Sequence, residues 1–176
     1  MKNNWRSLVI KMLALQVIFL LLHYAYEWFP NSITMVFSGI NESIYQHMKI
    51  GFFTYLLASL LEYLLVRKIL TNRASFVYAR LFAATIYPFA IFVFFLMAPA
   101  YYGQIQNILL EVIYANIALL LSSFSAIAIE RQVEMGEPGR LFRLVVVALV
   151  LISLSQYIIF TYRLPWMDVF ATPPGW

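Results

Sequence analysis

Apolar residues along this chain do not alternate with polar ones but run in long blocks. Five blocks, Leu8 to Phe29, Ile44 to Val66, Phe76 to Ala98, Asn107 to Ile129 and Leu144 to Tyr162, each match the ~20 residues that cross ~30 Å of hydrocarbon as a helix. Lipid offers nothing to an unpaired backbone N–H or C=O, so each block is predicted to be helical. A sixth apolar piece, Ile33 to Ile40, is too short to cross. It follows Pro30-Asn31-Ser32 and ends at Gly39 and Ile40, which predicts an interfacial or re-entrant segment on the outer side. The predicted fold is therefore all-α: a polytopic membrane protein with five transmembrane helices, one integral membrane domain over 1–176, and a tail over 163–176. The opening Met1-Lys2-Asn3-Asn4-Trp5-Arg6 resembles a secretory signal, yet no small-x-small cleavage site precedes Pro30, and the first block reads as a retained span.

Composition supports lipid as the main solvent. The chain has 176 residues, 63% hydrophobic and 11% charged, too few charges to cover a water-soluble domain of that size. Its net charge of +4 does not point to nucleic acid, because the basic residues sit between apolar runs instead of forming one patch beside stacking aromatics. The absence of cysteine excludes disulfides, thiol nucleophiles, iron–sulfur clusters and thiolate zinc sites.

Lysine and arginine are retained on the cytoplasmic side of a membrane. Lys2, Arg6, Lys11, Arg67, Lys68, Arg73, Arg80, Arg131, Arg140 and Arg143 fall on one side of the five spans, and Lys49 and Arg163 on the other. The N-terminus is thus expected inside and the tail outside. The connection Glu130 to Arg143, with Gly136-Glu137-Pro138-Gly139, reads as a solvated cytoplasmic loop. Tyr101, Tyr102, Trp28, Trp166 and Trp176 read as interfacial anchors on the outer side. No repeat of twenty to fifty residues is present, so an inverted-repeat carrier in one chain is disfavoured, and symmetry would have to come from a homo-oligomer.

Ionisable side chains in hydrocarbon cost ~2.5–3.5 kcal/mol each on insertion scales, so each asks for a reason. Most of them share one level here. His23 and Glu27 lie in the last turns of the first span, Asn41, Glu42 and His47 at the start of the second, and Glu111 and Asn116 early in the fourth. Ser153, Gln156 and Tyr157 form a polar stripe in the outer part of the fifth. His23 and Glu27 are four residues apart and share a helix face, and Ser43 and His47 have the same spacing. Asn41 is placed to cap the second span, with Glu42 at the positive end of its dipole. Lys49 is an expected ion-pair partner for Glu27, Glu42 or Glu111. At the cytoplasmic level, Glu62 would be neutralised by Lys11 or Arg80. Pro88 predicts a kink that frees the Ala84 carbonyl.

The stretch Leu22-His23-Tyr24-Ala25-Tyr26-Glu27-Trp28, with Ile40-Asn41-Glu42-Ser43-Ile44-Tyr45-Gln46-His47-Met48-Lys49, resembles an uncharacterised family of small bacterial integral membrane proteins. Its members read L-H-F-x-Y-E-W and then V-N-E-S-V-W-E-H-L-K. The family's tail, near F-T-F and P-L-F-x-D-P with a terminal glycine-aromatic, is similar to Phe160-Thr161-Tyr162 and Phe170-Ala171-Thr172-Pro173-Pro174-Gly175-Trp176. The chain departs there, with Thr172 in place of aspartate and Asp168 displaced upstream. The resemblance implies a bacterial cytoplasmic membrane, a shared fold and a shared outer polar cluster.

Three readings of that cluster stand open. His23, Glu27, Glu42 and His47 could satisfy one another as interhelical hydrogen bonds with no ligand. With Asn41 and Glu111 they could line an outward-facing pocket that binds or transports a cation, a proton-coupled solute or a lipid headgroup. Or His23, Glu27, Glu42 and His47 could ligate a divalent metal such as zinc, which would acidify its water for hydrolysis of a lipid-linked substrate. The pocket reading is the one carried forward. Neither H-E-x-x-H nor G-x-S-x-G occurs, and no glycine-rich phosphate loop is present.

Overall fold

The computed structural model describes residues 5–103 and 105–172, apart from the side chain of Asp168. Lys2 and the tail residues Pro173, Pro174, Gly175 and Trp176 lie outside the described residues. The order is α1 (Trp5–Trp28), α2 (Ser32–Phe37), α3 (Ile44–Val66), α4 (Arg73–Tyr102), α5 (Ile108–Met135) and α6 (Arg140–Tyr162), followed by a short 3-10 turn at Asp168–Phe170. Five of these helices, all but α2, are long and apolar enough to cross a membrane. The protein is an all-helical, multi-pass membrane protein.

Local chemistry explains the ends. Asn31 caps α2, its side chain accepting from the N–H groups of Ile33 and Thr34 while the Thr34 hydroxyl accepts from Asn31 N–H. Ser43 caps α3 by accepting from Gln46 N–H, and Asn72 and Asn107 do the same for α4 and α5. The expected capping residue of α3, Asn41, stands two residues earlier and accepts instead from Ser43 N–H. α4 stops at Gly103, whose φ of 76° only glycine adopts without strain.

α4 and α5 run past the apolar blocks that predicted them. α4 contains Pro99 as well as Pro88. The Tyr114 hydroxyl from α5 receives Ala98 N–H at 3.0 Å and donates to the Phe94 carbonyl, so a side chain bridges a step of the helix ladder beside Pro99. α5 continues through Glu130 and Glu134 to Met135, leaving only 136–139 as loop. The reading of Glu130 to Arg143 as a solvated loop is therefore corrected.

The reason lies in a buried charge network at the end opposite α2. Lys11 (α1) reaches Glu62 (α3) at 2.7 Å and Glu130 (α5) at 2.6 Å, and Arg80 (α4) reaches Glu62 at 2.6 Å and Glu134 at 3.0 Å. The Tyr55 hydroxyl donates to Glu130 at 2.8 Å. Glu130 is 2% exposed. Carboxylates so paired can stay helical and buried, where an unpaired charge would unravel the helix towards water.

The main core lies between α1, α3, α4 and α5, built on Leu15, Phe19, Ile50, Tyr55, Tyr87, Ile91 and Ile127. Ala83, Ala84, Ala126 and Gly51 let the backbones approach closely, as membrane helices do where lipid supplies no hydrophobic drive. A second cluster, Tyr45, Phe52, Phe53, Tyr157 and Phe170, fixes α6 and the 3-10 turn against α3. α1 is the least enclosed span, with 11% of its most apolar window buried against 44% for α3. Its outer face is left to lipid.

Candidate functional site

At the α2 end, three side chains from three segments meet. His23 Nε2 comes from the penultimate turn of α1, His47 Nε2 from the first turn of α3, and Glu42 Oε2 from the loop that enters α3. The two nitrogens are 3.3 Å apart, and each is 3.4 Å from the carboxylate oxygen. The geometry is an almost equilateral triangle of donor atoms.

Each ring is held. His47 lies between Phe19 and Phe95, near parallel to both, and its Nδ1 is 2.9 Å from the Ser43 carbonyl. A carbonyl only accepts, so Nδ1 carries the proton and a neutral His47 presents a lone pair at Nε2. His23 packs against Tyr24, with ring centroids 4.9 Å apart, and its Nδ1 is buried without a protein hydrogen bond. Ser43 has two jobs: its hydroxyl caps α3 while its carbonyl fixes the His47 tautomer. The His23 imidazole beside Glu42 holds that carboxyl below its ordinary value, by hydrogen bonding and charge, against a partial burial that would raise it.

The triangle forms one wall of a cavity of about 400 Å³, within the range of small-molecule sites at ~300–1,000 Å³. Glu27, one turn beyond His23, and Glu111, in the first turn of α5, line the same cavity, as does Asn116. Asn116 accepts from Gln16 at 2.5 Å and donates to the Val112 carbonyl, pinning α5 to α1 below the site. The remaining lining is apolar, including Phe19, Leu20, Ile91, Phe95 and Leu119. Of the four expected metal ligands, His23, Glu42 and His47 converge, and Glu27 stands apart from that group as a lining residue. Asn41 shapes the turn into α3 and does not line the cavity.

Other expected partners lie elsewhere. Lys49 pairs with none of Glu27, Glu42 and Glu111; it is fully buried and donates to the Met35 carbonyl at 2.8 Å and Thr161 Oγ1 at 3.2 Å, because its helical position turns it towards α2 and α6. The stripe on the fifth span also faces away from the cavity: Tyr157 packs into the second core cluster, and the Gln156 carbonyl receives the Tyr45 hydroxyl. Phe19 and Phe95, which clamp His47, were not singled out from the sequence. The four-residue step from Phe19 to His23 on α1 is a local signal that could have found Phe19, whereas Phe95, on α4, has no local signal linking it to either histidine.

Compared with protein-family models, curated proteins and solved structures, the chain matches none.

Proposed function

We propose that this protein binds a divalent metal ion of the zinc class through His23, Glu42 and His47, keeping a fourth coordination position for a ligand in the adjoining cavity. One observation carries the reading. Ligands ~2.0–2.1 Å from a tetrahedral zinc ion stand ~3.3–3.4 Å from one another, and the three donor atoms are separated by 3.3, 3.4 and 3.4 Å. With the His47 proton directed at the Ser43 carbonyl, His47 Nε2 and Glu42 Oε2 turn lone pairs towards one point. A cation there removes their repulsion.

The site faces one side of the membrane. Between it and the network of Lys11, Glu62, Arg80 and Glu130, the bundle is filled by Leu15, Phe19, Tyr87, Ile91 and Leu119, and the carboxylates of that network are already paired with cations. This favours a seated ion over a transported one. The bias of lysine and arginine supports a cytoplasmic N-terminus, and with it a site opening on the extracytoplasmic face of a bacterial cytoplasmic membrane.

Thermal unfolding of the metal-free protein in detergent tests the proposal. Zinc at 100 times its Kd stabilises a single-site protein by about 2.7 kcal/mol, so zinc is expected to raise the midpoint in wild type and not in His47→Ala, whereas magnesium, which favours oxygen donors, raises neither. An equal response of wild type and His47→Ala to zinc overturns the assignment.

A further inference from the structure

The cavity beside the triad has features that a metal-storage site does not need. Its lining residues with the greatest exposure, Leu20, Tyr24, Glu27 and Val112, belong to α1 and α5. These helices are joined below by Gln16 and Asn116, and above that hydrogen bond the cavity lies between them. α1 turns most of its surface outward, with 11% of its most apolar window buried, so a mouth between α1 and α5 would face the bilayer.

Depth agrees with that entrance. His23 is five residues from the end of α1 and His47 three from the start of α3, or ~4–8 Å along helices rising ~1.5 Å per residue. Helices of 24 and 23 residues reach only slightly beyond ~30 Å of hydrocarbon. The triad thus sits near the level where headgroups meet acyl chains, which is where the acyl carbonyls of lipids lie.

Charge narrows the ligand. Among the described residues lining the cavity there are three carboxylates, Glu27, Glu42 and Glu111, and no lysine or arginine. Away from the ion, a phosphoryl group or anionic headgroup would meet carboxylates and no basic side chain. Helical Cα–Cβ bonds tilt towards the N-terminus of their own helix. On α1 this leans Glu27 from the mouth back over the turn that carries His23, and on α5, which runs the other way, it leans Glu111, beside the exposed Val112, towards the outer end of the cavity.

Resting on the metal reading above, we propose that the site hydrolyses the acyl ester of an uncharged membrane amphiphile, with Glu27 as general base and Glu111 at the entrance excluding anionic headgroups. A bound zinc-class ion supplies acidification of water and polarisation of a carbonyl. Glu27 takes one proton from the water held between it and the triad. The water oxygen bonds to the acyl carbon, and the carbon–oxygen bond to the alcohol breaks. The proton on Glu27 passes to the alkoxide oxygen, releasing a fatty acid and an alcohol. Ester plus water is consumed, and no electrons are exchanged.

The test uses the full chain, loaded with zinc, in phosphatidylcholine vesicles carrying dioleoylglycerol or, separately, dioleoylphosphatidylglycerol, with released oleate read by mass spectrometry and bound zinc measured on the same samples. Expected are oleate release from dioleoylglycerol, little from the anionic lipid, and, for Glu27→Gln, full zinc with release reduced about 100-fold or more. Glu111→Gln is expected to raise the ratio of release from the anionic lipid to release from dioleoylglycerol, and an unchanged ratio overturns its part in headgroup selection. Full zinc with no oleate from wild type overturns the hydrolase and leaves the metal site standing, whereas absence of zinc overturns both. Unchanged release by Glu27→Gln overturns its role as base. Equal release from both lipids in wild type overturns the headgroup selection.

Discussion

His23 Nε2 and His47 Nε2 stand 3.3 Å apart although 24 residues separate them. The pairing exists because α1 and α3 cross the same depth in opposite directions, which returns the chain to the level it had left. Two apolar packings maintain it: Phe19 touches both rings, and Phe95 covers the far side of His47.

Acidification should release the metal. Metal ligands bind deprotonated, and an imidazole ordinarily takes up a proton near pH ~6.5. Glu42, in the loop before α3, has its carboxyl held below the ordinary range by His23. Zinc affinity, read by chelator competition, is therefore expected to fall as the buffer is made acidic and protons compete for the ligands. Affinity that persists unchanged to about pH 5 would rule out imidazole ligation.

The opposite end of the bundle should govern stability without touching metal. Glu130→Ala removes a buried acceptor from Lys11 and Tyr55. Breaking a buried ion pair from one side costs about 3–5 kcal/mol, and that loss is expected in detergent unfolding, with zinc stoichiometry intact in protein that remains folded. A change below about 1 kcal/mol, the scale of a surface pair, would show that the network is wetted.

Five spans and their order were legible in the sequence because apolar block length alone decides whether a helix can cross. Their ends were less so. The fourth span outlasts its apolar block because Glu130 and Glu134 find Lys11 and Arg80 on other helices, a pairing invisible to any local window. The same limit applies to the candidate site. Spacing within α1 joined His23 to Glu27, whereas packing between segments selects Glu42 and His47 as the immediate neighbours of His23. Lys49 shows the converse: its depth suggested a carboxylate partner, and its direction around α3 gave it a carbonyl and a threonine instead.

Gly51 controls the wall of the cavity. A Cβ there would stand 2.5 Å from Ile91 Cδ1, the tip of a lining side chain, and at ordinary distance from Tyr87. Gly51→Ala is expected to cost about 1–3 kcal/mol through overpacking, and Ile91→Val, which removes that methyl, should recover most of it when combined. Failure of the double variant to recover in thermal unfolding would mean that the backbone of α3, and not the tip of Ile91, absorbs the strain.

Sidedness is open to direct labelling because the chain has no cysteine. Glu137, between α5 and α6, and Trp166, beyond α6, are both exposed. In intact bacterial cells expressing single-cysteine variants, a membrane-impermeant maleimide is expected to label Trp166→Cys and to reach Glu137→Cys only after permeabilisation. The reverse pattern would turn the site to the cytoplasm.

X-ray absorption at the zinc edge, on purified protein reconstituted in lipid with one equivalent of the ion, reads the triad most directly. Four nitrogen or oxygen scatterers at ~2.0–2.1 Å are expected, with the multiple scattering of two imidazoles, and with one imidazole lost in His47→Ala. A spectrum of hydrated zinc, or one that His23→Ala and His47→Ala leave unchanged, would contradict metal binding by His23, Glu42 and His47.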